Sequence, residues 1–175
     1  MAINPAQGRI IFAYTSLLEE KGQNKISITD LVQRANTSRT TFYNHFTGLD
    51  DLKQKSLNIA INDINNILTK NLLFKIPVLI EMLDYIKEKG FYFQVWKKYH
   101  SDFDATVTSF MEKTIKNSDI VDLEKQLEDG YHIPEKFAFD VYVLTVKTII
   151  YKWIDSNFIE SSQEIAEIIH KAVQI

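Results

Sequence analysis

The sequence contains no cysteine, which excludes disulfides, thiolate chemistry and cysteine-based zinc sites. Five glycines and three prolines are few for 175 residues. β architectures built on tight turns use more of both, so helices are favoured from the start. No long uninterrupted hydrophobic run is present. The most apolar stretch, Phe137 to Ile154, carries Asp140, Lys147 and Lys152, and each such charge costs roughly 2.5–3.5 kcal/mol at the centre of a membrane helix. Met1 to Ile11 shows no apolar run behind a basic start, so no signal peptide is expected and a cytoplasmic protein is. There is no glycine-rich phosphate loop and no nucleophile elbow. His100, His132 and His170 are scattered, with no His pair at i, i+4. No metal site, no cofactor and no enzymatic activity are therefore expected.

What is present is an ordinary globular balance, 45% hydrophobic and 25% charged residues, enough for one large helical domain or a small domain beside a larger one. The net charge of −3 is unevenly spread. Residues 1–49 hold five cations (Arg9, Lys21, Lys25, Arg34, Arg39) against three acids (Glu19, Glu20, Asp30), a balance of +2, and the remainder holds fifteen against twenty, a balance of −5. An acidic whole repels nucleic acid, so any DNA-binding face must be local, and only the first fifty residues can supply it.

The periodicity predicts an all-α chain of about nine helices in two parts, residues 1–48 and residues 49–175. Ile10, Ile11, Tyr14, Leu17 and Leu18 stripe a first helix from about Pro5 to Lys21, with Gly22 at its C-cap. Ser27 is the N-cap of a second, with Asp30 completing a capping box and Ile26 and Leu31 spaced as a hydrophobic staple. That helix stops near Asn36, a residue that tolerates left-handed backbone. Ser38 caps a third helix in which Phe42 and Phe46 face the core while Arg39, Thr40, Tyr43 and Asn44 face away. Gly48 breaks the chain, and a fourth helix runs from about Leu49, with Asp50 and Asp51 in its first turn, to about Leu72. A fifth opens at Pro77 and ends near Gly90. Phe91 to Tyr99 is helical. Asp102 to about Lys116 is a helix with Phe103, Val107, Phe110 and Met111 inward. Asn117 to Gly130 is an acidic loop with a short helix. Pro134 opens a long apolar helix to about Asn157, and Ser161 or Ser162 caps the last.

Two short helices joined by a three- to four-residue turn, the second exposing Arg, Thr, Tyr and Asn, describe a helix-turn-helix. Such a helix fits the major groove of B-DNA. Arg39 can bond guanine O6 and N7 together, a Thr methyl can touch the thymine methyl, and Asn44 can pair with adenine. Tyr43 and Thr41 can hydrogen-bond phosphates, which sets register.

The string Ile28-Thr29-Asp30-Leu31-Val32-Gln33-Arg34-Ala35-Asn36-Thr37-Ser38-Arg39-Thr40-Thr41-Phe42-Tyr43-Asn44-His45-Phe46 closely resembles the signature of the tetracycline-repressor-like (TetR/AcrR) family of transcriptional regulators. Leu49-Asp50-Asp51-Leu52 resembles that family's start of helix four, and the specific match covers about residues 8–52. The resemblance implies a homodimer that places one recognition helix on each half of a palindromic double-stranded operator. It also implies DNA contacts from Ser38, Arg39, Thr40, Thr41, Tyr43, Asn44 and His45, with Thr29 touching the backbone. Two positions depart from the pattern: Asn36 stands in place of the turn glycine, and Leu49 in place of a phosphate-binding lysine for which Lys53 or Lys55 can substitute.

The remainder of the chain offers two features. Tyr92, Trp96, Tyr99, His100, Phe103 and Phe110 form an aromatic cluster that is either ordinary core or a pocket with polar handles for an apolar or aromatic small-molecule effector. The resemblance favours the pocket. Val141, Leu144, Thr145, Thr148 and Tyr151, widened by Ile149, Trp153 and Ile154, stripe one late helix, and Ile165, Ile168, Ile169 and Ala172 stripe the last. Leu144, Thr148, Tyr151, Ile165, Ile168 and Ile169 are the candidate dimer interface, two helices from each subunit forming a bundle across a two-fold axis. The alternative is packing within the subunit alone. The expected function is ligand-responsive control of transcription, repression first. The alternative is an activator that recruits a protein partner through the acidic segment Asp119 to Asp129.

Overall fold

The computed structural model describes residues 4–22, 25–69, 75–118, 120 and 122–173. All regular structure among them is helical. In chain order the helices are α1 (Pro5–Lys21), α2 (Ile28–Arg34), α3 (Arg39–His45), α4 (Leu49–Thr69), α5 (Ile76–Glu88), α6 (Gly90–Tyr99), α7 (Phe103–Lys116), α8 (Leu123–Tyr131), α9 (Glu135–Asp155) and α10 (Ser162–Ala172). The described residues form ten helices where about nine are expected. The short helix expected in the acidic segment is α8, which takes up most of that segment, anchored by the buried Leu123 and Leu127 and bounded by left-handed Asp122 and His132. The expected extension of α4 to Leu72 and the start of the acidic segment at Asp119 lie outside the described residues.

The chain divides into two compact units, Met1–Asn62 with Gln94–Ser101, and Asp63–Phe93 with Asp102–Ile175. In the first, α1 packs on α2 and α3, and α2 on α3. Its core holds Ile10, Leu17 and Leu18 of α1, Leu31 of α2, Phe42 and Phe46 at α3, and Leu52 of α4. Each such side chain contributes roughly 1.5–3 kcal/mol by leaving water. In the second, α10 packs on α5 and α9, and α7 and α8 each pack on α9. The Trp153 indole is buried there and donates to the Glu160 carbonyl at 3.0 Å.

The helix starts follow the sequence closely. The Ser27 N–H donates to Asp30 Oδ2 at 3.1 Å, and the Asp30 N–H returns a bond to Ser27 Oγ at 3.1 Å. Ser161 and Glu164 make the same reciprocal box at α10. The Ser27 hydroxyl holds the Asp30 carboxyl below its ordinary 3.8, and the Ser161 N–H holds Glu164 below 4.5. A carboxyl depressed on folding contributes stability above its unfolded pKa and loses it as pH falls through the folded value. The melting temperature is therefore expected to fall as pH drops below about 4.5, and more shallowly in an Asp30→Asn, Glu164→Gln double variant. Parallel melting curves for the two proteins across pH 7 to 3 (roughly the range in which carboxyls titrate) would contradict this.

Between α9 and α10, Asn157 and Phe158 both take left-handed backbone, at φ 59° each. The Phe158 N–H donates to the Trp153 carbonyl at 3.0 Å, and its ring stands edge-on to Trp153 with centroids 5.0 Å apart. That ring lies against Gly90, where an added Cβ would meet Phe158 Cε2 at 2.4 Å and Cζ at 2.8 Å. An exposed helical Gly→Ala change stabilises by roughly 0.5–1 kcal/mol. Here Gly90→Ala is expected to destabilise by about 1–3 kcal/mol, because the ring is held on two sides. A thermal melt settles the sign: a raised Tm would mean that the ring moves aside freely.

Candidate nucleic-acid interface

The interface begins with how α2 is held. Arg34 donates from both terminal nitrogens to both Glu20 oxygens, at 2.6 and 2.7 Å. Lys21 pairs with Asp30 at 3.2 Å, and Arg9 Nε donates to the Ala35 carbonyl at 3.3 Å. Three of the five cations in the first forty-nine residues are thus spent fastening α1 to α2 and its C-cap. The Glu20 carboxyl is lowered, chiefly by the Arg34 hydrogen bond.

The turn follows. Asn36 is left-handed at φ 47°, and the Thr37 N–H reaches back to the Val32 carbonyl at 2.9 Å. Asparagine adopts this backbone with less penalty than other side chains, so the residue standing in for the turn glycine keeps the turn's shape. Ser38 caps α3 by accepting from the Thr41 N–H at 3.0 Å, and the two hydroxyl oxygens lie 2.9 Å apart.

Burial then orients α3. Phe42 and Phe46 are buried with ring centroids 5.7 Å apart. Arg39, Thr40 and Asn44 are exposed, and Tyr43 is 54% exposed while resting edge-on against Phe42. Thr41 and His45 are half-buried. Thr29 is exposed on α2, and Arg39 Nη2 donates to its Oγ1 at 2.7 Å. The structure therefore brings Thr29, Arg39, Thr40, Tyr43 and Asn44 to the solvent side of the two short helices. The Arg39–Thr29 bond was not legible in the sequence, where the two residues lie ten positions apart.

Leu49 is half-buried. Of the lysines considered in its stead, Lys55 pairs with Asp51 at 2.9 Å and donates to the His45 carbonyl at 3.0 Å. The Asp51 carboxyl, held low first by the Thr47 N–H, anchors that lysine at the start of α4. Lys55 thus serves the local fold, and Lys53 is half-buried beside it in sequence.

The aromatic candidates divide between the units. In the first, Trp96 Nε1 donates to Thr15 Oγ1 at 3.1 Å, the Tyr14 hydroxyl lies 3.1 Å from His100 Nε2, and the Trp96 and His100 rings stack 6.2 Å apart. Both side chains are buried against α1, whereas Tyr99 is half-buried under Lys98, whose Nζ stands 4.8 Å over the ring. In the second unit, Phe103 is buried with its ring 6.2 Å from Tyr151, and Tyr92 and Phe110 are half-buried. Burial raises the Tyr92 hydroxyl. Val107 and Met111 of α7, expected inward, also keep part of their surface, because α9 is the chief neighbour α7 has within the unit.

On α9 the inward arc carries Ala138, Tyr142, Val143, Val146, Trp153 and Ile154. Trp153 and Ile154 belong to this core and not to the outward stripe. The outward arc exposes Phe137, Val141, Leu144 and Thr148, with Leu144 at 48%. Tyr151 is half-buried, its hydroxyl raised by burial. On α10, Ile165 and Ile169 are 3% and 2% exposed and pack within the subunit, whereas Ile168 is 44% exposed. Phe137 was missed; extending the spacing of Val141, Leu144 and Thr148 one turn back would have found it. Lys147, in the sequence only a charge that bars membrane insertion, bonds Asp104 at 3.0 Å and Thr108 Oγ1 at 3.0 Å, joining α9 to α7.

Among the described residues no group of His, Asp and Glu is placed to hold a metal ion, and no helix is long and apolar enough to cross a membrane. The TetR_C_8 family, described as "Transcriptional regulator C-terminal region", matches residues 76–174. No curated protein matches the sequence. Solved structures of similar fold include the following three. "Dihydroxyacetone kinase operon activator DhaS" has a TM-score of 0.67 at 20% identity, over 96% of this chain and 93% of that one. A TetR/AcrR-type transcriptional regulator from Aquifex aeolicus VF5 has a TM-score of 0.67 at 16% identity, over 97% and 98%. A TetR-family regulator from Syntrophomonas wolfei str. Goettingen has a TM-score of 0.63 at 18% identity, over 97% and 96%.

Proposed function

The chain belongs to the TetR family of transcriptional regulators, and from that membership we propose that it binds a palindromic operator as a homodimer and represses transcription until a small molecule releases it. The observation that carries the reading is the outward face of α3. Arg39, Thr40, Tyr43 and Asn44 are presented to solvent by a helix whose other side is pinned by Phe42 and Phe46. Residues 1–48 supply the DNA contacts, Ser38, Thr41 and His45 completing the set at the cap and end of α3. Residues 49–175 supply dimerisation and effector response. The protein acts in the cytoplasm and turns over no substrate.

The subunits meet through the outward arc of α9 around Leu144, Thr148 and Tyr151, together with the exposed Ile168 of α10, while Ile165 and Ile169 stay in the subunit's own core. A recognition helix needs a second copy about one helical turn away, roughly 34 Å along the DNA, to read a palindrome. An apolar or aromatic effector has partly exposed aromatic surface to meet at Tyr92 and Phe110. It acts only through a difference in its affinity for two subunit arrangements, one with the recognition helices in register with the operator and one without.

A second reading has one observation behind it: a protein of similar fold is called an operon activator. In that reading the DNA-binding half is the same and the C-terminal half recruits a protein partner. Selection of bound duplexes from a random pool tests what both share. The expected product is a two-fold symmetric sequence with two protomers per duplex; a pool without a consensus would remove both readings.

A further inference from the structure

We propose that Thr29 is a positioning residue for Arg39, setting its guanidinium for base readout instead of spending its own hydroxyl on the DNA backbone; the inference rests on the reading of α3 as the base-contacting helix. Arg39 Nη2 donates to Thr29 Oγ1 at 2.7 Å, across the turn. Both residues are exposed, and an exposed arginine side chain otherwise samples many rotamers, freedom that must be given up on binding. The anchor is rigid. Thr29 is β-branched, so its χ1 is restricted. It sits inside the Ser27–Asp30 capping box, on a helix fastened to α1 by the two Arg34–Glu20 bonds.

The choice of partner matters as much as the distance. Arg34 is neutralised by a carboxylate, whereas Arg39 is held by a neutral hydroxyl and meets no carboxylate among the described residues, so its positive charge stays uncompensated. One N–H of the guanidinium is spent on Thr29, and four remain. Two of these suffice for guanine O6 and N7. A carboxylate at this position would hold the fork equally well but would cancel the attraction to DNA.

The test uses the full-length protein, a randomised duplex library and the variants Thr29→Val, Thr29→Ser and Arg39→Ala. Base preference at each position and the salt dependence of affinity are read for each. Thr29→Val should melt with the native protein and keep its salt slope. It should lose discrimination, by about fivefold or more, at the one symmetric base pair that Arg39→Ala also relaxes. Thr29→Ser should restore it. Equal weakening on every sequence would make Thr29 a phosphate contact and overturn the inference. Unchanged preference in Thr29→Val, with preference lost in Arg39→Ala, would overturn it while leaving base readout intact. Unchanged preference in Arg39→Ala itself would remove the underlying reading, and the inference with it.

Discussion

Arg39→Ala is expected to weaken operator binding by about 1–3 kcal/mol per half-site, roughly 5- to 150-fold, and about twice that in free energy across the two half-sites of a dimer. The magnitude follows from what Arg39 keeps available. Arg9, Lys21 and Arg34 are engaged with α2 or α1, whereas Arg39 carries its full charge on the solvent face. Arg39→Lys separates charge from geometry. A lysine keeps the attraction to phosphates but loses the planar fork, so it should retain the salt slope and lose most of the base preference. Affinity titrations on the selected duplex and on a scrambled one, at two salt concentrations, resolve these effects. If Arg39→Ala bound both duplexes as the native protein does, base readout would have to come from elsewhere.

Leu144→Glu is expected to convert the protein to a monomer and to lower operator affinity by at least about 100-fold, since the second half-site no longer binds as part of the same complex. Leu144 is 48% exposed within its subunit, midway along an arc with Phe137, Val141 and Thr148. Leucine buried in an interface contributes roughly 1.5–3 kcal/mol, and a two-fold interface loses it twice. A glutamate there adds an unpaired charge that the interface must desolvate, costing several kcal/mol more. The core of the second unit is untouched, because Trp153, Ile154, Ile165 and Ile169 face the other way. Sedimentation should therefore show a monomer that keeps its helical circular dichroism. A dimer that survives Leu144→Glu would place the interface on another surface.

The first fifty residues were legible because their signals are local. Ser27 and Ser38 cap the helices expected of them, Asn36 takes left-handed backbone, and Phe42 and Phe46 are buried. Each is signalled by residue type or spacing within a few positions along the chain. The fastening of α1 to α2 was not legible, since Glu20 and Arg34 stand fourteen residues apart and either could have been an ordinary surface charge. The arcs of α9 were legible only in part. Apolar residues occupy most of its circumference, so periodicity marks a buried helix without saying which side meets its own core. Trp153 and Ile154 were misassigned for that reason. The extent of α8 was not legible, because the helix is acidic and holds its place with two leucines, too few to stand out as a stripe.

The measurement that bears most directly on the central claim is binding of the purified protein to the DNA upstream of its own gene, against a scrambled competitor, over a salt series. A dimer using the α3 face should bind one palindrome per dimer, prefer it over the scrambled duplex by about 10³-fold or more, and weaken steeply as salt rises. Weak binding, equal for the two DNAs at every salt concentration, would contradict operator binding there. The exposed face of α3 would then need another occupant.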